Sequence, residues 1–224
     1  MAVLRDGATV AVKTHDDGTD YSGWLLQAVD GALAEAGSKL ETVDLLGVAT
    51  GPGSFTGLRV GLTTVKAWAE VYGKRVVGVS RLEAMARSEK GASGLVAACY
   101  DAQRGQLFAG LYRVGFGPAK RVGDEFVVVP EELVERVGAQ AGSEAVRWIT
   151  LDPELIEGLE SMKERVARGD RVLVCTPELA SPIGVLAEES AARGEFSDPV
   201  ALDANYVRRS DAEILWKGPA TRVR

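Results

Sequence analysis

Residues 49–72 read ATGPGSFTGLRVGLTTVKAWAEVY, and this stretch decides how the rest of the chain is interpreted. Small and apolar residues at 45–49 predict a strand that runs into a Gly-Pro-Gly loop. A helix then opens at Ser54 or Thr56, either of which could cap its first turn. Strand, glycine loop and helix is the layout of an anion or nucleotide site. The stretch therefore predicts either a ligand site or a surface that holds another protein.

The loop lacks the residues of the two common phosphate-binding motifs. A Walker loop ends in Gly-Lys-Ser/Thr, whereas Gly57 is followed here by Leu58 and Arg59. A dinucleotide fingerprint is spaced G-x-G-x-x-G, and the third glycine here comes one residue too late. The loop is either a tight turn that uses Gly51 and Gly53 for backbone freedom and close approach, or a weak anion site. As an anion or nucleotide site, it would use Gly51, Gly53, Ser54, Thr56, Asp101 and Arg104.

The helix after the loop is apolar over more than half of its circumference, which is wider than the stripe of a one-sided surface helix. One stripe contains Leu58, Leu62, Val65, Ala69 and Tyr72, and a second, nearly opposite, contains Val60, Ala67 and Val71. Gly57 and Gly61 leave a groove in which another helix could approach closely. The helix is either a buried core element, or it covers its own sheet with one stripe and a partner with the other, with Trp68 as an anchor. The predicted partner interface consists of Trp24, Ala28, Gly57, Val60, Gly61, Thr64, Ala67, Trp68 and Val71.

Composition and charge indicate an ordinary soluble globular protein of 224 residues, 46% hydrophobic and 26% charged. The formal net charge is −6 and the basic residues are scattered, so we expect any nucleic-acid contact to be indirect, through a partner. No apolar run reaches the ~20 residues that span a bilayer, and the first residues lack a signal-peptide core. We therefore expect a cytoplasmic protein that does not associate with membranes.

The residue types that carry hydrolytic chemistry are scarce. Cys99 and Cys175 each end an apolar run and are predicted to be free, buried thiols. His15 is the only histidine. These three residues cannot supply a His/Cys zinc site or a Ser-His-Asp triad. We therefore expect no metal site and assign no catalytic residue.

The order of the predicted elements indicates a duplicated α/β unit. The second half is predicted to run βββαβαβα, with a strand at 125–129 and helices at 153–168 and 177–193. The first half is predicted to run ββαβαβα, one strand short. Two βββαβαβα units are the layout of the ribonuclease-H-like, actin-like ATPase superfamily. We therefore predict two tandem lobes, with the first strand of the N-terminal lobe missing.

Three domains follow from this organisation. We predict an N-terminal lobe at 1–93 that mediates dimerisation, and a C-terminal lobe at 94–200, with the junction at 91–94. We predict that a final segment at 201–224 packs back on the N-terminal lobe and ends in a helix near 211–217.

Four sequence blocks resemble the bacterial TsaB (YeaZ) family. They are GPGSFTGLR at 51–59, GVSRLEA at 78–84, DAQRGQ at 101–106 and YVR at 206–208. The resemblance implies an accessory subunit of the machinery that makes N6-threonylcarbamoyladenosine in tRNAs reading codons that begin with A. It also implies an actin-like two-lobe fold, a homodimer in isolation, and a heterodimer with the catalytic paralogue TsaD. A TsaE-type ATPase would join at the level of the complex.

The chain departs from the family pattern in three places. The opening family strand that ends in Asp-Thr-Ser is absent, in agreement with the strand count. Tyr21-Ser22-Gly23 stands where the family has His-Ser-Glu. The residues near 175–177 lack a Gly-Gly adenosine loop, and Gln103 and Arg104 are bulky for a phosphate loop. We therefore expect no cofactor in this chain, with ATP only at the level of the complex.

Three functions follow from these observations. The first is a noncatalytic scaffold and activating subunit that pairs with TsaD. The second is an ATP-dependent phosphotransferase or carbamoyl-transfer enzyme of the actin-like fold, in which Asp101 places a metal ion and the loop at 51–57 holds phosphate. The third, a protease, finds no nucleophile or metal ligands to support it.

Overall fold

The chain forms two α/β lobes, which the computed structural model describes over residues 1–15, 21–89 and 93–207. The first lobe begins with an antiparallel hairpin, whose turn places Asp6 and Gly7 at positive φ. Its later strands are parallel to each other. The elements of this lobe are β1 (Ala2–Arg5), β2 (Ala8–Val12), α1 (Tyr21–Glu35), β3 (Leu45–Gly51), α2 (Phe55–Tyr72), β4 (Arg75–Ser80) and α3 (Arg81–Ala86).

The second lobe is built on one five-stranded sheet in the order β7-β6-β5-β8-β9. The central strand, β5, is antiparallel to β6 and parallel to β8. Its elements are β5 (Gly94–Asp101), β6 (Leu107–Val114), β7 (Lys120–Val128), α4 (Pro130–Ala141), β8 (Val146–Thr150), α5 (Glu154–Glu157), α6 (Glu160–Ala167), β9 (Arg171–Val174) and α7 (Ala180–Ala192).

The two lobes repeat the same order of elements, except that the first lobe is one strand short within the described residues. In the second lobe, β5 lies between β6 and β8. The corresponding strands of the first lobe, β1 and β3, belong to separate two-stranded sheets. A cavity of about 980 Å³ lies between them and is lined by residues of both strands. The predicted fold class and the strand count are therefore confirmed.

Two helices cross between the lobes. Leu82 and Met85 of α3 pack into the core cluster of the second lobe, beside Val96 of β5. In return, α7 covers the strands of the first lobe, where Ala187 packs beside Val77. The predicted boundary at residue 93 separates the elements of the two lobes along the sequence. Helices α3 and α7, however, each pack against the lobe on the other side of that boundary.

Three predicted elements differ from the observed ones. The helix expected at 153–168 is two helices, α5 and α6, with Gly158 between them as the C-cap of α5. The strand expected at 125–129 begins earlier, at Lys120, because it pairs with β6 along its length. Helix α7 begins at Ala180 and not at 177. The junction residues 90–92 and the helix expected near 211–217 lie outside the described residues.

The α-helices of the described residues range from 4 residues in α5 to 18 residues in α2. None of those helices is long and apolar enough to cross a membrane.

Candidate partner surface and interlobe cleft

The loop between β3 and α2 is a tight turn whose geometry depends on one glycine. Gly51 has φ +112°, and a Cβ there would lie 3.0 Å from Leu58 Cδ1 and 3.2 Å from the backbone oxygen of Asn205. Gly53 has no such restriction, since a Cβ there would meet only ordinary contacts at 3.8 Å or more. The prediction that the turn requires glycine for backbone freedom and close approach is therefore confirmed at Gly51 and is wrong at Gly53. Ser54, and not Thr56, caps α2 by accepting the Gly57 N–H at 3.3 Å.

A cleft of about 650 Å³ separates the glycine loop from the second lobe. The guanidinium of Arg81 lies 4.2 Å from the centroid of the Tyr100 ring. The Tyr100 hydroxyl donates a hydrogen bond to the Pro52 carbonyl, and burial raises the pKa of that hydroxyl above its usual range. Four of the six predicted anion contacts line this cleft. They are Gly53, Ser54, Asp101 and Arg104.

The carboxylate of Asp101 holds the turn that follows β5. It accepts the backbone N–H of Gln103 at 2.7 Å and the side-chain amide of Gln103 at 2.9 Å. Gln103, Arg104 and Gly105 all have positive φ, so the turn is tightly wound. Turn formation therefore accounts for Asp101 without a metal ion. Across residues 1–15, 21–89 and 93–207, no group of three or more His, Cys, Asp or Glu side chains is placed to hold a metal.

Cys99 lies within β5 and Cys175 directly follows β9, and both are free thiols. Cys99 is fully buried, and burial raises its pKa to about 12. Cys175 is half-buried, and desolvation also raises its pKa. Because a thiol reacts as its thiolate, these shifts make both sulfurs poor nucleophiles near neutral pH.

Helix α2 presents its two predicted stripes in opposite ways. Leu62, Val65 and Ala69 are buried against the first-lobe strands. On the other stripe, Val71 is 73% exposed, Ala67 is exposed and Val60 is half-buried. The helix is therefore not a fully buried core element, because an apolar strip on its outer side remains uncovered.

The predicted interface residues fall into three groups. Five of them line the cavity between β1 and β3, namely Trp24, Gly57, Gly61, Thr64 and Trp68. Val60, Ala67 and Val71 lie on the outer side of α2. Ala28 is only 7% exposed because it packs inward from α1, so its contact with a partner stays a prediction that the free chain does not test. Leu26 of α1 is 55% exposed and is not among the predicted interface residues.

A buried carboxylate at the lobe junction was also missed by sequence reasoning. Glu125 of β7 is only 9% exposed and accepts hydrogen bonds from Ser80, Tyr112 and Asn205. Nearby Glu83 has a raised pKa, first because of its burial and then because of the charge of Glu125. The donors come from distant parts of the chain, so no local pattern could have grouped them.

Comparison with known proteins agrees with this geometry. A family model described as TsaD, tRNA N6-adenosine threonylcarbamoyltransferase, matches residues 18–150. The Escherichia coli tRNA threonylcarbamoyladenosine biosynthesis protein TsaB is 30% identical over 205 residues, which cover 88% of this chain and 84% of that protein. The Bacillus subtilis protein of the same name is 26% identical over 220 residues, covering 96% and 92%. The structure of YeaZ from Pseudomonas aeruginosa has a TM-score of 0.68 and 27% identity, with 92% of each chain covered.

The two repeated lobes and the cleft between them define a protein of the ribonuclease-H-like, actin-like class. Within that class, the resemblance noted from the four sequence blocks is confirmed. The chain belongs to the TsaB (YeaZ) family. Its curated relatives in E. coli and B. subtilis are named for tRNA threonylcarbamoyladenosine biosynthesis.

Proposed function

We propose that the chain is a noncatalytic scaffold and activating subunit in the formation of N6-threonylcarbamoyladenosine in tRNA. In this proposal it acts by pairing with a TsaD-type catalytic paralogue through the outer side of α2. The observation that carries the proposal is the uncovered apolar strip of Val60, Ala67 and Val71 on a helix whose opposite stripe is buried. Uncovered apolar strips of this kind are typical of protein interfaces.

The polar groups of the cleft support a structural role. Asp101 is engaged in a turn, and the carboxylate of Asp152 accepts the backbone N–H of Asp101 at 2.7 Å. Glu125 is held by three donors at the lobe junction. The hydrogen bonds of Asp101 and Asp152 fix the backbone after β5, and those of Glu125 join side chains of both lobes, so each of the three carboxylates has a structural role.

The rest of the assembly follows from the same proposal. The free chain forms a homodimer, and the heterodimer with the paralogue is the functional unit. ATP and a TsaE-type ATPase act at the level of the complex, and this chain holds no cofactor of its own. tRNA is contacted only indirectly, in keeping with the formal charge of −6. The protein acts in the cytoplasm.

The decisive experiment places a charge in the exposed strip. Val71→Asp should lower the affinity for a TsaD-type partner by about 100-fold or more, since a buried unpaired charge costs several kcal/mol at an interface. The free variant should stay folded and lose at most about 1 kcal/mol, because Val71 is 73% exposed and its new charge meets only the negative end of the α2 dipole. Titration calorimetry with the purified partner measures the first effect, and thermal unfolding measures the second.

Val166→Asp is the matched control. Val166 lies on helix α6 of the second lobe and is 47% exposed. This variant introduces the same charge on an exposed helix position away from α2, and should bind the partner like the unaltered chain. Unchanged binding by Val71→Asp would remove the outer side of α2 as the interface.

The alternative function, an ATP-dependent phosphotransferase or carbamoyl-transfer enzyme, is favoured by one observation. Arg81 and Arg104 both line the interlobe cleft, where their charges would favour a phosphate group. Asp101→Asn tests this alternative, because the amide oxygen can still accept the Gln103 N–H while the charge is lost. ATP hydrolysis by the chain alone that falls in this variant would support an enzyme and contradict the scaffold.

A further inference from the structure

The YVR block at 206–208 was conspicuous in the sequence, and the proposed function does not account for it. Tyr206 and Val207, which are described, belong to a segment at 202–207 that we call the clasp. The clasp follows α7 and runs along the first lobe to the cleft. Its residues contact both lobes, so this segment links the two lobes by packing as well as continuing the chain.

One end of the clasp is anchored in the first lobe. Leu202 and Ala204 pack into the core cluster beneath α2. The backbone N–H of Asn205 donates to the carbonyl oxygen of Thr50 at 2.7 Å, beside the glycine loop. Gly78 lets Leu202 approach, since a Cβ at that glycine would lie 2.7 Å from Leu202 Cδ1.

The other end of the clasp reaches the second lobe. The side-chain amide of Asn205 donates to one oxygen of the Glu125 carboxylate, and Tyr112 and Ser80 donate to the other. Val207 packs against the second-lobe core cluster. Asn205 therefore links the two lobes, since its backbone N–H bonds to Thr50 beside the glycine loop and its side-chain amide bonds to Glu125 of β7.

Tyr206 extends the same link to the first turn of α2. Its ring lies 5.2 Å from the ring of Phe55, and its hydroxyl accepts a hydrogen bond from Arg59 Nε at 3.2 Å. The Arg59 guanidinium also lies 3.6 Å from the centroid of the Phe55 ring. The first turn of α2 is thus held from outside by the clasp.

We propose that Asn205 and Tyr206 are positioning residues, which fix the first turn of α2 relative to the second lobe. The inference rests on the proposed function only in taking α2 as the helix that meets the partner. In that role, the clasp presents the apolar strip of α2 in one orientation, so that the partner does not have to order it on binding.

The test exploits the hydrogen-bond pattern at Glu125. Asn205→Asp is nearly isosteric but places a second carboxylate against Glu125, so at pH 7 the donor is lost and like charges face each other. Hydrogen exchange of the free chain should become about tenfold faster at Gly57 and Leu58, the two amides in the first turn of α2 that are hydrogen-bonded to Ser54. Exchange in β5 should stay unchanged.

A second substitution should reverse this effect. When Glu125→Gln is combined with Asn205→Asp, the new side-chain amide can donate to the new carboxylate. Its oxygen can still accept from Tyr112 and Ser80. The double variant should return exchange in the first turn of α2 to within about threefold of the unaltered chain. If Asn205→Asp does not fold, a folded double variant still demonstrates the coupling.

Two outcomes would contradict the proposal that the clasp positions the first turn of α2. The first is exchange in α2 that Asn205→Asp leaves unchanged, and the second is a double variant no better than Asn205→Asp alone. These measurements use the free chain, so they are independent of the partner-binding result for Val71→Asp. Normal partner binding by Val71→Asp would contradict the proposed interface, but it would not contradict the proposed role of the clasp.

Discussion

Gly51 and Gly61 lie in the same stretch, 49–72, but only one of these two positions requires a glycine. Gly51 has φ +112°, and the backbone of Asn205 closes off the side on which a Cβ would stand. Gly61 lies inside α2, and a Cβ there would meet nothing within 4 Å. The first position therefore requires glycine, whereas the second has glycine at a cost in helix stability.

Replacing each glycine by alanine should give opposite results. Gly51→Ala should destabilise the chain by about 1–3 kcal/mol, because alanine is strained at positive φ and crowds Asn205. Gly61→Ala should stabilise it by about 0.5–1 kcal/mol by lowering the entropy of the unfolded chain. Urea unfolding of both variants beside the unaltered chain provides the measurement. Equal midpoints for all three would contradict this account.

The sequence was sufficient to predict a tight turn at 51–53, but it could not distinguish Gly51 from Gly53. The distinction depends on Asn205, which packs against Gly51 only after the clasp has folded back. The Glu125 cluster escaped prediction for the same reason, since its donors Ser80, Tyr112 and Asn205 are far apart in the chain.

At the scale of elements, a buried ion pair fastens the end of α6 to the second-lobe sheet. Asp170 is 3% exposed and accepts hydrogen bonds from Arg165 Nε and Trp148 Nε1, both at 2.8 Å. It also accepts the backbone N–H of Val146 at 2.9 Å. One carboxylate thus links the helix to β8.

Asp170→Asn should cost about 3–5 kcal/mol, because it leaves Arg165 buried without its counter-charge. Glu164→Gln is the matched control, since it removes an exposed pair with Arg168 at 3.5 Å within the same helix. The control should change the unfolding free energy by less than about 0.5 kcal/mol. Thermal unfolding of both variants measures the difference, and a small effect of Asp170→Asn would refute the role of the pair.

Periodicity predicted the order of the described elements correctly, because each strand and helix carries its own apolar pattern. It did not predict the interruption between α5 and α6. The apolar positions continue through residues 153–168, and Gly158 alone is a weak signal for the end of a helix. The buried role of Asp170 depends on the packing of three elements, which periodicity does not describe.

At the scale of the whole molecule, α3 and α7 make the two lobes one structural unit. Leu82 and Met85 of α3 pack in the second lobe, while Ala84 of the same helix packs with α7 in the first. A helix buried on both sides transmits a loss of packing to both lobes. We therefore expect the lobes to unfold together.

Met85→Ala tests this cooperativity, because Met85 is fully buried and faces the second lobe. The substitution should cost about 2–5 kcal/mol, and the unfolding midpoints reported by amides of β4 and of β5 should shift by the same amount. Hydrogen exchange at increasing urea concentration resolves the two strands. A shift confined to β5 would show that the lobes are energetically separate.

The cavity between β1 and β3 has a consequence for handling the protein. Within the described residues β1 pairs only with β2 and β3 only with β4, so the edges that face the cavity carry unpaired backbone donors and acceptors. Such edges can recruit strands from neighbouring molecules. The formal net charge of −6 makes two copies of the chain repel each other, which opposes such association. Salt screens charges of this kind, and concentrated stocks in high salt will therefore be the most prone to precipitate.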